Sequence, residues 1–271
     1  MSAVVSDQKR IKSANRVLEI IELFDNERQS VTVMDVSRAL GVPQSSTSEL
    51  LRVLVQKGYL TRDRLARRFR PGSRTALLGS WVQPERFRHG HIFRLMDELK
   101  EMSGEATALC SLVGTTLQHL HIVGTQIPRA LCGSSEHHPL HSPFGMAILS
   151  TAPREQVRKL VHRLNAESEP ERRIPFVDVA DELDRICTRG YVVGKLTQGY
   201  SGLAVLLPQK VGRDEEPLSI GLIGPTDRLL RREEHYLGLV HDAISASRSR
   251  ACVLASSAEA AKSARRSATA F

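Results

Sequence analysis

The chain has 271 residues and a mass of 30.1 kDa, which is enough for one large domain or two smaller ones with a sizeable core. Hydrophobic residues make up 41% of it and charged residues 25%, a balance that excludes a largely disordered protein. The net charge of +8 predicts a polyanionic partner, either nucleic acid or a membrane surface.

The sequence carries no pattern typical of export or of membrane insertion. Its apolar runs have the length of strands, and residues 1–14 lack the apolar core of a signal peptide. The cysteines lie far apart and form no CxxC pair, which is typical of reduced thiols. We therefore expect a cytoplasmic protein with no membrane partner.

The positive charge is concentrated in two segments. From Arg52 to Arg74, eight basic residues oppose Asp63 alone, which gives +7. After Ser245, five basic residues oppose Glu259, which gives +4. Charge clustered in this way is typical of a nucleic-acid footprint, although a basic surface without any partner would look the same.

The first predicted elements are three helices. Residues 13–25 have a broad apolar helical stripe, and residues 32–35 form a capping pattern that opens a second helix. Gly41 suits the left-handed cap at the end of that helix. Pro43 suits the first turn of a third helix, which we predict over residues 43–57.

The third helix begins with short polar side chains that can approach bases closely: Gln44, Ser45, Ser46, Thr47 and Ser48. Two short strands, 59–62 and 68–70, follow it around a basic turn and predict a wing. The arginines expected to contact phosphates are Arg52, Arg62, Arg67, Arg68 and Arg70. This order of features favours a DNA-binding helix-turn-helix over a helical interaction module with an incidental basic loop.

The rest of the chain predicts a linker helix and an α+β domain. Short apolar runs bounded by Gly or Pro alternate there with two helices, 153–165 and 178–190, a pattern that predicts an antiparallel sheet flanked by helices. The expected division is a flexible N-terminus 1–12, a winged helix-turn-helix 13–80, a linker helix 81–102, the α+β domain 103–247 and a basic tail 248–271.

Both halves resemble the IclR family of bacterial transcriptional regulators. The segment ANRVLEIIELF…VTVMDVSRALGVPQSSTSELLRVLVQKGYLTRD resembles its winged helix-turn-helix. The phrases PLHSPFGMAIL, RGY, GLAVLLP and GLIGPTDRL resemble its GAF-like C-terminal domain, so the resemblance spans residues 13 to about 247. It implies DNA binding controlled by a small effector. Gln44, Ser48 and Glu49 stand where the family usually has basic or imidazole side chains. We therefore expect the wing to contribute a larger share of the affinity for DNA.

The resemblance also implies an effector pocket beside the sheet. The residues that it assigns to this pocket are Leu131, Leu140, His141, Ser142, Gly145, Lys195, Ala204, Gly221 and Ile223. Ala204, Gly221 and Ile223 replace cysteine and serines that the family often has, so we expect a less polar pocket than one for very small oxoacids. The expected effector is an organic acid or an aromatic compound. Lys195 is either the partner of an acid group or an ordinary surface lysine.

Other chemistry has weaker support in the sequence. His137, His138 and His141 suggest a zinc site, but no CxxC or HExxH motif accompanies them, so we expect no metal. No GxSxG, P-loop or GxGxxG motif is present, so we expect neither catalytic residues nor a cofactor. The alternatives are a small-molecule-binding or hydrolytic enzyme with a helical appendage and, more remotely, membrane association through the tail.

The leading prediction is therefore a transcriptional regulator that acts as a homodimer or a dimer of dimers. Two-fold symmetry would match it to palindromic or pseudopalindromic double-stranded DNA. Effector binding would change the spacing of the two wings. The affinity for the effector and the affinity for DNA would therefore be linked.

Overall fold

The computed structural model describes residues 12–24, 28–63, 65–78, 90–128, 131, 137–208, 216–247 and 249–250. The chain divides into two compact units, Met1–Gln83 and Pro84–Phe271. Most of the predicted flexible N-terminus, the first part of the linker and most of the basic tail lie outside the described residues.

The first unit contains helices and a two-stranded sheet. Its elements are α1 (Lys12–Glu22), α2 (Val33–Leu40), α3 (Gln44–Gln56), β1 (Leu60–Asp63), β2 (Arg68–Pro71) and α4 (Ser73–Leu77). β1 and β2 pair antiparallel, with Leu60 opposite Pro71 and Asp63 opposite Arg68. This pair of strands is the predicted wing, and we refer to residues 60–71 by that name.

Local hydrogen bonds set the ends of α2. The Thr32 hydroxyl accepts from the Asp35 backbone N–H at 3.2 Å, and the Asp35 carboxylate accepts from the Thr32 N–H at 2.8 Å. Gly41 ends the helix in the left-handed region, with φ of 61°. Pro43 keeps an extended ψ of 143° and caps α3, so this helix begins at Gln44, one residue later than predicted.

One core holds the helices and the wing together. Its buried residues are Ile20, Val31, Val36, Leu51, Leu54, Leu60 and Phe69. Val31 and Phe69 also exchange two backbone hydrogen bonds, of 3.0 and 2.8 Å. The wing is therefore fixed to the helices by packing and by its backbone.

The second unit is built on a five-stranded antiparallel sheet of order β4-β3-β7-β6-β5. Its strands are β3 (Ala106–Val113), β4 (Thr116–Val123), β5 (Tyr191–Thr197), β6 (Tyr200–Leu206) and β7 (Leu218–Pro225). Its helices are α5 (His91–Ser103), α6 (Pro143–Leu149), α7 (Arg154–Glu167), α8 (Phe176–Arg189), α9 (Thr226–Arg231) and α10 (233–247). The predicted α+β class and antiparallel sheet are confirmed.

Helices cover both faces of this sheet. The face packed against α6, α7 and α8, which we call the α6 face, presents Ala106, Ala108, Cys110, Ala204 and Ile223. The face packed against α5, α9 and α10, which we call the α5 face, presents Leu109, Leu203, Val205, Ile220 and Leu222. The two sets alternate along each strand because successive side chains point to opposite sides.

α5 corresponds to the predicted linker helix and packs within its own unit. Its buried side chains are Ile92, Leu95, Met96 and Leu99, all on the α5 face. Arg250, assigned from the sequence to the basic tail, donates to the Glu98 carboxylate of α5 at 2.6 Å. The beginning of that tail is thus joined to the second unit. None of the described helices is long and apolar enough to cross a bilayer.

A buried carboxylate ties the start of β3 to the two last helices. Glu105 is almost fully buried and accepts from the Tyr236 hydroxyl at 2.9 Å and from the Arg228 guanidinium at 2.9 Å. A buried charge needs such partners because it is costly to desolvate. Burial, followed by the hydrogen bond to Glu105, raises the pKa of Tyr236.

Candidate nucleic-acid interface and effector site

The first turns of α3 expose most of the polar side chains expected to read bases. Those with exposed positions are Gln44, Ser45, Ser46 and Ser48. Thr47 is fully buried, and its hydroxyl donates to the Pro43 carbonyl at 3.1 Å. It lies four and seven residues before Leu51 and Leu54, on the helix face that packs into the core. The structure therefore contradicts the predicted base contact of Thr47.

Arg52 lies on the exposed side of α3, where its guanidinium donates to the Glu49 carboxylate at 2.7 Å. Both side chains are more than half exposed, so water screens this pair strongly. Arg52 is accessible to a phosphate, but it would have to leave Glu49 or share its charge with it.

The predicted arginines of the wing differ in their surroundings. Arg62, Arg67 and Arg70 are exposed, and the Arg62 guanidinium lies 5.8 Å from the centre of the Phe69 ring. Arg68 is half-buried and donates to the Ser30 hydroxyl at 2.8 Å and to the Ser30 carbonyl at 3.1 Å. Arg68 therefore holds the wing to the segment before α2. The sequence carries no signal for Ser30, which lies 38 residues away.

The tip of the wing is a tightly held turn. The Asp63 carboxylate accepts from the backbone N–H groups of Leu65 and Ala66, each at 3.0 Å, and the bond from Ala66 is the main cause that lowers the pKa of Asp63. Arg67 has φ of 51°, the only left-handed residue other than glycine in the described part of the chain. Leu65 is 99% exposed at this tip. Its exposure was not predicted.

In the second unit, four predicted effector residues lie in one buried cluster. Leu131, Leu140, Ala204 and Ile223 all belong to the apolar core on the α6 face. They come from two strands and from the segment before α6, so only the fold brings them together.

Two further predicted residues lie at the start of α6. Ser142 occupies the N-cap position, but its hydroxyl makes no cap hydrogen bond and is buried. Gly145 faces the backbone of Pro139, which a Cβ at position 145 would overlap. This close approach seats α6 on the short 3-10 helix Pro139–His141.

Gly221 is also constrained by packing. It pairs with Ala108 on one side and Ala204 on the other, in the middle of the sheet. A Cβ at position 221 would overlap the Leu203 carbonyl. The absence of a side chain at position 221 is thus a requirement of the strand pairing and not only a change in pocket polarity.

Two predicted effector residues lie away from this site. Gly194 faces α6, because a Cβ there would lie 3.4 Å from Pro143 Cγ. Lys195, the next residue, is exposed and points to the opposite face of the sheet, away from the buried cluster, and this position favours the alternative of a surface lysine. His141 is exposed, with its ring centre 4.5 Å from that of His138.

The structure also places at the site buried polar atoms that no sequence motif marks. On the α6 face, Ser219 lies opposite Cys110, which lies opposite His119 on the next strand. The Ser219 hydroxyl and both His119 ring nitrogens are buried without a hydrogen-bond partner, as is His138 Nδ1 beside α6. Burial is the main cause that lowers the pKa of His119 and of His138 to about 4. Both side chains are therefore neutral at pH 7.

Among the described residues, no group of three or more His, Cys, Asp and Glu side chains is placed to hold a metal ion. Of the histidines that suggested zinc, His138 and His141 have ring centres 4.5 Å apart, and the ring centre of His137 lies 4.5 Å from that of His119.

Comparisons with known proteins agree with this architecture. Residues 13–64 match the IclR helix-turn-helix domain. The chain is 27% identical over 188 residues to the acetate operon repressor of Salmonella typhimurium, covering 67% of this chain and 68% of that protein. It is 25% identical over 227 residues to the transcriptional repressor IclR of Escherichia coli, covering 81% and 82%.

Solved structures share the fold. An IclR homologue from Microbacterium hydrocarbonoxydans, complexed with 4-hydroxybenzoate, aligns with a TM-score of 0.59 and 17% identity over 87% of this chain and 97% of that one. IclR from Thermotoga maritima aligns with a TM-score of 0.58 and 17% identity over 89% and 99%.

Proposed function

Because this chain belongs to the IclR family of transcriptional regulators, we propose that it binds operator DNA through α3 and the wing and responds to a small effector held on the α6 face. Its relatives are repressors of transcription, and the chain is a regulator and not an enzyme. The observation that supports the DNA contacts best is the set of exposed arginines on the wing, together with the exposed polar side chains at the start of α3.

In the proposed complex, α3 enters the major groove. The side chains proposed to meet base edges are Gln44, Ser45, Ser46 and Ser48, which are short enough for close approach. Those proposed to neutralise phosphates are Arg52, Arg62, Arg67 and Arg70. Arg68 supports this surface by fixing the wing to Ser30.

We propose that the regulator acts in the cytoplasm as a homodimer or a dimer of dimers. A two-fold assembly presents two copies of α3, and so matches palindromic or pseudopalindromic half-sites. An effector that favours one spacing of these copies changes operator affinity, and the operator changes effector affinity by the same factor.

The salt dependence of DNA binding tests the wing. Each phosphate contact adds about 0.9 to the slope of log affinity against log salt. Replacing Arg62 and Arg70 by Ala should therefore flatten the slope by about 2 per protomer and weaken all duplexes similarly. Fluorescence anisotropy on duplex DNA from upstream of the chain's own gene measures this slope.

The matched control removes the same charge from the second unit. Arg158 and Arg185 are exposed on α7 and α8, and replacing both by Ala should leave the slope unchanged. Equal slopes for the wing variant and the wild type would contradict the proposed phosphate contacts.

The effector part of the proposal is tested by linkage. A compound that binds the folded second unit raises its melting temperature, so a thermal-shift screen of small acids and aromatic compounds identifies candidates. Each candidate must then change the affinity for DNA in the anisotropy assay. If stabilising compounds leave DNA affinity unchanged, the proposed regulation is contradicted.

A further inference from the structure

The α6 face contains hydrogen-bonding atoms for which the fold supplies no partner. Within the described residues, these are the Ser219 and Ser142 hydroxyls, both ring nitrogens of His119 and His138 Nδ1. Ser219 is fully buried and Ser142 is 6% exposed. An unpaired polar atom in such a place destabilises the folded state, so folded proteins rarely leave several together without a use for them.

Strand pairing places Ser219 and His119 in one row. Cys110 on β3 lies opposite Ser219 on β7 and opposite His119 on β4. Neighbouring strands are about 4.8 Å apart, so the backbones at Ser219 and His119 are separated by about 10 Å. Ser219 and His119 therefore lie on either side of Cys110, on the same face of the sheet.

The surroundings of this row are apolar and aromatic. The His119 ring makes an edge-on contact with Phe144 at 6.3 Å and a tilted contact with His137 at 4.5 Å, measured between ring centres. Ala108, Ala204 and Ile223 are part of the same buried cluster. Such a lining suits an aromatic ligand better than a small, strongly hydrated ligand.

We propose that the row formed by Ser219 and His119 binds an aromatic effector that carries a neutral hydroxyl group, a phenol or an aromatic alcohol. The inference rests on the proposed function and narrows its effector class. A hydroxyl group both donates and accepts hydrogen bonds, as serine hydroxyls and a neutral imidazole do. The effector hydroxyl can therefore pair with the buried polar atoms of the protein. A carboxylate only accepts and brings a charge into a buried place where Lys195 does not reach.

The electrostatics of the row favour the same class. Cys110 is fully buried, and burial raises the pKa of its thiol well above the ordinary value, so it stays neutral. Burial, followed by the neighbouring His137, keeps His119 neutral at pH 7 by lowering its pKa to about 4. The row therefore offers neutral hydrogen-bonding groups and no positive charge.

Three ring compounds of similar size test the proposal on the full-length protein: phenol, anisole and benzoate. We expect phenol to bind at pH 7.5 at least tenfold more tightly than benzoate in calorimetry, with anisole between them because it only accepts. Tighter binding of benzoate, or no binding of any of the three, would overturn the inference.

Variants identify the row as the binding site. Ser219→Ala should lower phenol affinity about threefold to tenfold, the usual effect of one neutral hydrogen bond. With Ser219 as the acceptor of this bond, anisole affinity should hardly change, because anisole has no O–H to donate. His119→Phe keeps an aromatic ring without the nitrogens and should reduce phenol affinity similarly. Unchanged phenol affinity in both variants would overturn the assignment.

Thr107→Val is the matched control. The Thr107 hydroxyl is also fully buried and unpaired, but it lies between Ala106 and Ala108 and so on the opposite face of the sheet. We expect Thr107→Val to keep the wild-type affinity for phenol. A loss equal to that of Ser219→Ala would show a general effect of packing and overturn the inference.

The unliganded proteins provide a second readout. Removing an unpaired buried hydroxyl should leave the melting temperature unchanged or raise it, so Ser219→Ala is expected to fold. DNA binding by anisotropy separates this inference from the proposed function. If wild type binds DNA but prefers benzoate, only the inference fails, whereas absence of DNA binding contradicts the proposed function itself.

Discussion

The two units place their functional groups in opposite environments. The proposed DNA contacts are exposed side chains on the outside of a closed core, such as Arg62 and Arg70. The proposed effector contacts are buried atoms within a core, such as Ser219 and His119. DNA specificity can thus change through substitutions that hardly affect folding, whereas a change of effector specificity also changes packing.

The forces differ in the same way. Charges on the wing act through water and are weakened by salt. Groups on the α6 face act at short range in a desolvated place, where a missing partner is costly and salt matters little. Three perturbations would test this contrast, from a large packing effect to a small surface effect.

The largest effect of a single substitution is expected at Gly221. Gly221→Ala would bring a Cβ into the Leu203 carbonyl, and overpacking at such a place destabilises by about 3 kcal/mol. Urea denaturation followed by circular dichroism measures the loss. Gly238→Ala is the control, because nothing lies within 4 Å of a Cβ there and alanine should stabilise α10 by about 0.5–1 kcal/mol. If Gly221→Ala had the same urea midpoint as the wild type, the close contact between position 221 and the Leu203 carbonyl would be contradicted.

Acid should affect the second unit first. His119 and His138 have a folded pKa of about 4 against an ordinary value of 6.5, so between these values the unfolded chain binds more protons. Stability should therefore fall as the pH drops from 6.5 to 4, by at most about 1.4 kcal/mol per pH unit for His119 and by less for His138, whose charge solvent screens more. Urea titrations at successive pH values measure this slope. His119→Phe should reduce it, and His162→Gln, on the exposed side of α7, should not.

The first unit should respond to acid in a lower range. Residues 1–83 contain no histidine, and the backbone hydrogen bond from Thr32 lowers the pKa of Asp35 below its ordinary 3.8. The stability contributed by this carboxylate is present above pH 3.8 and is lost as the pH falls through its lower folded pKa. If both units lost stability over the same pH range, the histidines would not be the cause.

The smallest effect is expected at Glu49. Glu49→Gln releases Arg52 from its surface pair, which should change stability by less than about 0.5 kcal/mol. It also removes a negative charge beside the DNA, so affinity at low salt should rise about threefold and the salt slope should steepen. Glu155→Gln removes a similar pair, that with Arg158, from α7 and should leave DNA affinity unchanged. Equal effects of the two substitutions on affinity would contradict the proposed place of α3 on DNA.

Local chemistry made much of the fold predictable. The capping pattern of Thr32 and Asp35, the left-handed Gly41 and the apolar periodicities identify helices, because each acts within a few residues of the chain. The Gly- and Pro-bounded apolar runs predict the antiparallel sheet in the same way. Predictions about single side chains were less successful. Thr47 was expected on the exposed, base-reading side of α3, but its spacing from Leu51 and Leu54 places it on the buried side.

The sequence by itself determined the order of the elements, the fold class, the regulator family and the concentration of charge around α3 and the wing. The tertiary structure decided which side chains share a site. His119 and His121 are two residues apart and would share a face in a regular strand. The register shift between Leu109 and Cys110 directs only His119 toward Phe144, while His121 contacts Phe93. The face of Lys195 likewise follows from the packing of Gly194 against Pro143. Such choices depend on strand partners distant in sequence, so local patterns do not contain them.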